Sequence, residues 1–227
     1  MLFTRILYSI GLGFLFSFAG YFLSLVSLSP SNIVYHTKAI LSKRKRLWLI
    51  FVIEVVTITI VLLITRDYLI LLQSLLSLLI ISMIAYSDSI AGRIPLFYLF
   101  ASVLIGTYLD FLNKQTGIHL LGGLMIFGLM FIFFLLGKKY VIHLKKQNQA
   151  ISAFGLGDVY TSGVIGSLFG FSRGLIIILL ALVMAVVYAA FQSRDKGYFS
   201  FFQIRTRLGP FFFISAVVLV LLGYLFR

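Results

Sequence analysis

Two aspartates are the residues of this chain best suited to chemistry. Asp88 opens the stretch Asp-Ser-Ile-Ala-Gly-Arg-Ile-Pro, which closes on Ile94 and Pro95, and Asp158 ends the tetrapeptide Gly-Leu-Gly-Asp that begins at Gly155. Both border long apolar runs, and the whole chain has only six acidic residues. A charged side chain within a membrane costs roughly 2.5 to 3.5 kcal/mol on insertion scales. The two aspartates are therefore candidate functional residues.

Two carboxylates that share one site cannot both ionise comfortably, so one of them keeps a proton. The ionised partner can then act as general base on a water molecule while the protonated one polarises a scissile carbonyl. Gly155 and Gly157 suit this use, because a peptide substrate can approach a backbone that lacks Cβ atoms. Pro95 suits the first turn of a helix. The pattern predicts aspartyl proteolysis, whereas Asp158 taken alone also fits a helix N-cap.

Other catalytic chemistries find little support in the sequence. The absence of cysteine excludes disulfides, thiolate metal sites and a cysteine nucleophile. His36, His119 and His143 are distributed over both predicted membrane faces, so we expect no metal site. No serine stands in a nucleophile-elbow motif. Glu54, inside an apolar run, is expected to pair with a polar neighbour or lie near water.

The elements that must position the aspartates are membrane helices. The chain has 227 residues, of which 61% are apolar, and its mean hydropathy is +1.12. These values predict an all-α polytopic helix bundle, with residues 1–227 forming one integral membrane domain. The first apolar run is too long for a signal peptide and is predicted to be a retained span. The net charge of +13 resides in short loops, where topology and anionic lipid headgroups explain it without direct nucleic-acid binding.

About eight transmembrane helices are predicted from the apolar runs. Their approximate bounds are Ile6–Leu28, Leu47–Thr65, Tyr68–Tyr86, Ile94–Leu112, Ile118–Gly137, Val159–Gly170, Gly174–Phe191 and Pro210–Phe226. Merging the sixth run with the seventh would leave seven spans. Gly163, Gly166 and Gly170 predict that the short sixth helix packs closely against its neighbours.

The loop charges predict the orientation of the bundle. With the amino terminus outside, the inside loops hold 14 basic residues and the outside segments hold 5. Cytoplasmic loops carry such an excess of Lys and Arg. Asp88 follows the third span and Asp158 precedes the sixth, so both carboxylates are expected at the cytoplasmic face, where they can meet.

The motifs resemble those of the type IV prepilin peptidases, membrane aspartyl proteases similar in mechanism to other GxGD intramembrane proteases. The first motif is carried by Asp88 with Ile94-Pro95, the second by Gly155-Leu-Gly157-Asp158, and a third by Leu208-Gly209-Pro210-Phe211, which resembles the Gly-Pro-Phe that opens the last helix of the family. Their order and spacing make the match more specific than a lone GxGD. Residues 68–226 would form the peptidase core, and residues 1–46 resemble the family's first span and basic cytoplasmic loop.

This resemblance implies removal of the short basic leader of prepilins or pseudopilins at the cytoplasmic face of the bacterial plasma membrane. Asp88 and Asp158 would be the catalytic dyad, and proteolysis would need no cofactor. Substrate-binding or backbone-supporting roles would fall to Gly155, Gly157, Ile94, Pro95, Gly209 and Pro210. The compact, cysteine-free form is most similar to the peptidases of competence pseudopilin systems.

The chain departs from the family pattern at several positions. Longer members also methylate the new amino terminus with S-adenosylmethionine, but the paired cysteines of their cytoplasmic loop are absent, and the loop Ser29–Arg46 is short. This departure does not favour methyltransferase activity. Leu96 and Tyr160 stand where the family often has a polar residue and a lysine, respectively. These changes fit altered substrate choice or an inactive copy.

Two other functions fit the same aspartates. A proton- or cation-coupled transporter could use them as a relay, because intramembrane acids also mark ion pathways. A noncatalytic membrane scaffold would need neither of them. Replacement of both aspartates separates the scaffold from the other two functions, since only the scaffold would keep its activity, and proton flux in liposomes separates the transporter from the peptidase.

Overall fold

The computed structural model describes residues 2–27, 44–112, 114, 117–145, 155–193 and 207–225. Within these ranges all the regular elements are helices, which confirms the predicted all-α class. Most of the predicted basic loop Ser29–Arg46 lies outside the described residues, as do Arg194, Lys196 and Arg205. The helices are α1 Leu2–Ser27, α2 Arg44–Ile64, α3 Tyr68–Ala91, α4 Phe97–Leu112, α5 Ile118–Lys145, α6 Leu156–Ser193 and α7 Gly209–Leu225.

Five helices of the described chain are long and apolar enough to cross a membrane. The candidate spans are Ile6–Leu25, Leu47–Ile64, Tyr68–Ala91, Ile118–Lys139 and Leu156–Phe191. The shorter helices α4 and α7 are also apolar. Large apolar side chains remain exposed on the outside of the bundle, as on α1 and α5, and lipid tails would cover them in a bilayer. The protein is a helical membrane bundle.

Helix α6 consists of two halves that meet at Gly170. This residue has φ 75° and ψ 176°, which is not a helical conformation and which a residue with a side chain rarely adopts. A Cβ added at Gly174 would lie 3.2 Å from the Cα of Gly166. Eight residues of straight helix would separate those positions by about 12 Å along the axis. The chain therefore reverses direction at Gly170, and the second half of α6 packs back against the first.

Glycines bring the backbones of α5 and α6 into direct contact. A Cβ added at Gly166 would lie 2.6 Å from the carbonyl oxygen of Gly122, and one added at Gly122 would lie 2.8 Å from the carbonyl oxygen of Gly166. Neither position has space for a side chain. Close packing of this segment through its glycines, as the sequence predicted, is confirmed at Gly166.

Helix α3 forms the centre of the bundle and packs against α1, α2, α4, α6 and α7. All of its residues from Ile80 to Ile90 are buried. Near the middle of the bundle, the Tyr86 hydroxyl donates to Glu54 Oε2 at 3.1 Å. Glu54 is only 1% exposed. The prediction that Glu54 pairs with a polar neighbour is confirmed.

The helix ends near the aspartates differ from their predicted positions. Helix α3 continues past Tyr86 to Ala91, so Asp88 belongs to the end of the helix and not to a loop after it. Gly92 ends α3 in the left-handed conformation, with φ 66°, and its N–H donates to the Asp88 carbonyl. Helix α4 begins at Phe97, so Pro95 precedes the helix. Apolar runs locate spans but do not show where a capping glycine ends the helix.

Candidate functional site

The Asp88 side chain lies between the end of α3 and the start of α7. It is 7% exposed, and its Oδ2 accepts the backbone N–H of Gly209 at 3.0 Å. A Cβ added at Gly209 would come within 2.8 Å of both Asp88 Cβ and Oδ2. Only glycine allows this approach. Gly209 of the third sequence motif therefore holds the carboxylate of Asp88 in the first motif.

Asp158 lies in the first turn of α6, where its side chain contacts the residue that precedes the helix. Its Oδ2 accepts the backbone N–H of Gly155 at 3.1 Å, and its own N–H donates to the Gly155 carbonyl. Such a reciprocal pair resembles a capping box. The interpretation of Asp158 as the helix N-cap is wrong, because Gly155 precedes the helix and Asp158 is its third residue. The contact with Gly155 does not exclude a functional role, because the side chain also borders a cavity.

One cavity brings the two aspartates together. Its volume is about 710 Å³, within the usual range for ligand sites. The lining combines acidic, basic and glycine residues with three others, namely Asp88, Asp158, Arg93, Arg207, Gly92, Gly155, Gly157, Ala91, Ile94 and Tyr160. The two motifs also touch directly, since a Cβ added at Gly157 would lie 3.4 Å from Ile94 Cδ1. Residues seventy positions apart in the sequence thus form one concave site.

Arg207 binds the backbone at the end of α3. Its Nη1 donates to the carbonyls of Asp88 and Ser89, the latter at 2.8 Å. Its guanidinium also covers Gly92, where an added Cβ would lie 3.1 Å from Nη2. Carbonyls near a helix C-terminus carry partial negative charge and favour a cation. Arg207 and Gly209 therefore hold the backbone and the carboxylate of Asp88, respectively.

Sequence reasoning did not identify Arg207 or Arg93 as site residues. The excess of Lys and Arg expected in cytoplasmic loops was a sufficient explanation for both arginines. The useful signal for Arg207 is its position two residues before the Gly209-Pro210 pair. Tyr160 was noted only as a departure from the family pattern. In the structure it borders the cavity and stacks on Phe127, with ring centroids 6.1 Å apart.

Three predicted site residues do not line the cavity. Pro95 follows Ile94 in the turn before α4, Gly209 donates its N–H to the Asp88 carboxylate, and Pro210 follows Gly209 in the first turn of α7. All three positions fit support of the residues that line the cavity. Glu54 contacts Tyr86 on the part of α3 that faces α2, and it does not border the cavity.

A second polar cluster lies at the other end of the bundle. Asp110 Oδ1 and His119 Nδ1 are 2.7 Å apart, and both residues are buried. The His119 backbone N–H also donates to the carboxylate, at 3.1 Å to Oδ2. Gln73 Nε2 lies 3.2 Å from His119 Nε2. The cluster joins α3, α4 and α5, and within the described ranges no three His, Asp or Glu side chains group as a metal site would require.

No protein-family model matches the chain, and neither a curated protein nor a solved structure matches it. The functional interpretation therefore depends on the motifs and on the geometry of the aspartate cavity.

Proposed function

We propose that this protein is a membrane aspartyl endopeptidase that removes the short basic leader from type IV prepilins or pseudopilins. The observation that supports it most is the single cavity bordered by both Asp88 and Asp158. The peptidase motifs predict these two carboxylates as the dyad. One would activate water and the other would polarise the scissile carbonyl.

The glycines around the cavity also support peptide hydrolysis. Gly155 and Gly157 border it without side chains of their own, so an extended substrate segment can approach the carboxylates closely. The N–H of Gly209 restricts Asp88 to one orientation. Preorganised carboxylates save the cost of orienting them during the reaction.

The proposed topology has eight spans, an external amino terminus and an active site that faces the cytoplasm of a bacterial plasma membrane. Two observations support it. The loop charges are strongly biased to one side, and the reversal at Gly170 divides α6 into two antiparallel halves. The substrate would enter from the cytoplasm with its apolar helix in the bilayer. Proteolysis would use no cofactor, and competence pseudopilins are the proposed substrates.

A cleavage assay in membranes tests the proposed activity. The protein is co-expressed with a candidate pseudopilin, and loss of the leader is followed as a mobility shift on a gel. Asp88→Asn and Asp158→Asn should each abolish the shift, because an amide can neither accept the proton from water nor share one with its partner. Asp67→Asn is the matched control, since Asp67 caps α3 at the opposite end and asparagine also caps helices well.

Wild-type cleavage that both dyad variants retain would refute the proposal. Equal loss in the Asp67 variant would instead point to misfolding, which the amount of inserted protein measures independently.

A proton-coupled transporter is the second candidate, and one structural observation favours it. Buried polar side chains follow α3 along much of its length, among them Ser77, Ser82, Ser87 and Asp88, and the Tyr86–Glu54 pair lies between the two ends. Proton flux into liposomes that is lost in Glu54→Gln and Asp88→Asn, without any peptide cleavage by the wild type, would favour the transporter.

A further inference from the structure

A second cavity lies at the end of the bundle opposite the aspartates. It has a volume of about 350 Å³, which corresponds to roughly twelve water molecules at their volume in the liquid. Helices α3, α6 and α7 form its walls, with Ile70, Gln73, Ser74, Ser77, Phe169, Arg173, Leu219, Val220, Leu222, Gly223 and Tyr224. Ser74 lies about 21 Å along α3 from Asp88. The two cavities are therefore separate sites.

The cavity has a basic residue at its rim. Arg173 follows the reversal of α6 at Gly170 and is exposed. Among the described residues, no carboxylate forms a salt bridge with it. The guanidinium can thus bind an external anion through several N–H donors in a fixed planar arrangement.

Hydrogen-bonding groups line the wall beside Arg173. Ser74 Oγ and Tyr224 OH lie 2.7 Å apart and join α3 to α7. One turn deeper, Ser77 Oγ is buried and has no hydrogen-bond partner among the described residues. A buried hydroxyl without a partner loses its hydrogen bonds to water and gains nothing in return. Ser77 therefore adds an unsatisfied polar group close behind the cavity wall.

The remaining wall is apolar. Phe169, Leu219 and Val220 line the cavity together with Ile70, so it presents apolar side chains as well as polar groups. A small inorganic anion would use the rim but not these side chains. A molecule with an anionic head and a hydrocarbon body would use both, and the surrounding membrane supplies such molecules.

We propose that this cavity binds one anionic phospholipid of the adjacent leaflet. Its phosphate contacts Arg173, its glycerol region lies beside Ser74, Ser77 and Tyr224, and the start of an acyl chain lies against Phe169 and Leu219. The bound lipid fills the space between α3 and α7, the two helices whose other ends carry Asp88 and Gly209.

Native mass spectrometry and thermal unfolding of the purified full chain test this proposal. The probes are phosphatidylglycerol, phosphatidylcholine and inorganic phosphate, each added to delipidated protein in a neutral detergent. Phosphatidylglycerol should form a one-to-one complex and raise the unfolding temperature, whereas the other two should do neither. Arg173→Ala should weaken phosphatidylglycerol binding at least about fivefold, the equivalent of roughly 1 kcal/mol for one basic residue near a lipid surface.

Arg66→Ala is the matched control, because Arg66 is an exposed arginine in the turn before α3 that does not line the cavity. It should bind phosphatidylglycerol within twofold of the wild type. Arg173→Lys should recover part of the affinity by restoring the charge. Equal weakening by Arg173→Ala and Arg66→Ala would overturn the proposal in favour of nonspecific attraction. Stabilisation by inorganic phosphate alone would overturn the lipid assignment, and equal binding of phosphatidylcholine would overturn the role of the anionic head.

Discussion

Gly209→Ala tests how closely the start of α7 controls the Asp88 carboxylate. The new methyl group would lie 2.8 Å from both Asp88 Cβ and Oδ2, about 0.6 Å short of the 3.4 Å at which ordinary contact begins. The Asp88 backbone cannot easily yield, because Arg207 and the Gly92 N–H hold its carbonyl. The side chain must therefore rotate or α7 must move away, and either change breaks the bond from the Gly209 N–H.

The expected loss of activity follows from this displacement. A misplacement of about 1 Å at a reacting group can lower a rate about 100-fold, so a shift of about 0.6 Å should reduce cleavage roughly 10- to 100-fold. Overpacking at a buried contact also costs about 1 to 3 kcal/mol of stability. Both effects are predicted for Gly209→Ala, with the inserted protein still present in the membrane.

The assay is the initial rate of leader cleavage in membranes that contain equal amounts of each variant. Gly128→Ala is the control, because a Cβ at Gly128 would meet no atom within 4 Å and Gly128 lines neither cavity. That variant should cleave within twofold of the wild type. Cleavage by Gly209→Ala that matches Gly128→Ala would show that Asp88 does not need its observed position and would refute the reasoning.

Three further substitutions have definite expected outcomes. Arg207→Ala removes the donor to two carbonyls at the end of α3, so cleavage should fall about tenfold and Arg207→Lys should recover part of the loss, measured as above. Gly106→Ala directs a methyl group into the Ser167 carbonyl oxygen and should lower the unfolding temperature in detergent, whereas Gly128→Ala, with open space around it, should not. His119→Ala leaves the buried Asp110 carboxylate with only the backbone N–H of residue 119 and should destabilise the protein by about 1 to 3 kcal/mol in denaturant titrations. An unchanged unfolding midpoint would contradict either stability prediction.

The helical membrane class could be predicted from hydropathy alone, because a bilayer admits few alternatives to apolar helices. The helix ends were less predictable. The extension of α3 to Ala91 depends on Gly92 adopting a left-handed conformation, and several glycines of this chain could have ended a helix. The sequence predicted a boundary between two spans within α6. In the structure, the non-helical backbone of Gly170 produces the reversal at this boundary.

The sequence predicted the acidic and glycine residues of the candidate site, but not its basic residues. Asp88 and Asp158 are conspicuous, since carboxylates are expensive beside lipid. Arg207 is not, because a loop arginine has an adequate explanation in topology. Its contacts with the Asp88 and Ser89 carbonyls arise only after α7 packs against α3. The Gln73–His119–Asp110 cluster likewise depends on three helices meeting.

The reversal at Gly170 has a consequence for how the protein is made. The first half of α6, from Leu156 to Phe169, is about 21 Å long, shorter than a hydrocarbon core of about 30 Å, so as a separate span it would need the bilayer to thin around it. We expect it to enter the bilayer together with the second half, which anchors Asp158 only after the ribosome has synthesised the chain to about Phe191. Asp88 gains its contact with the Gly209 N–H only after Gly209 has also been synthesised. The aspartate cavity is thus completed late in biogenesis, and a truncated or stalled chain would hold both carboxylates apart.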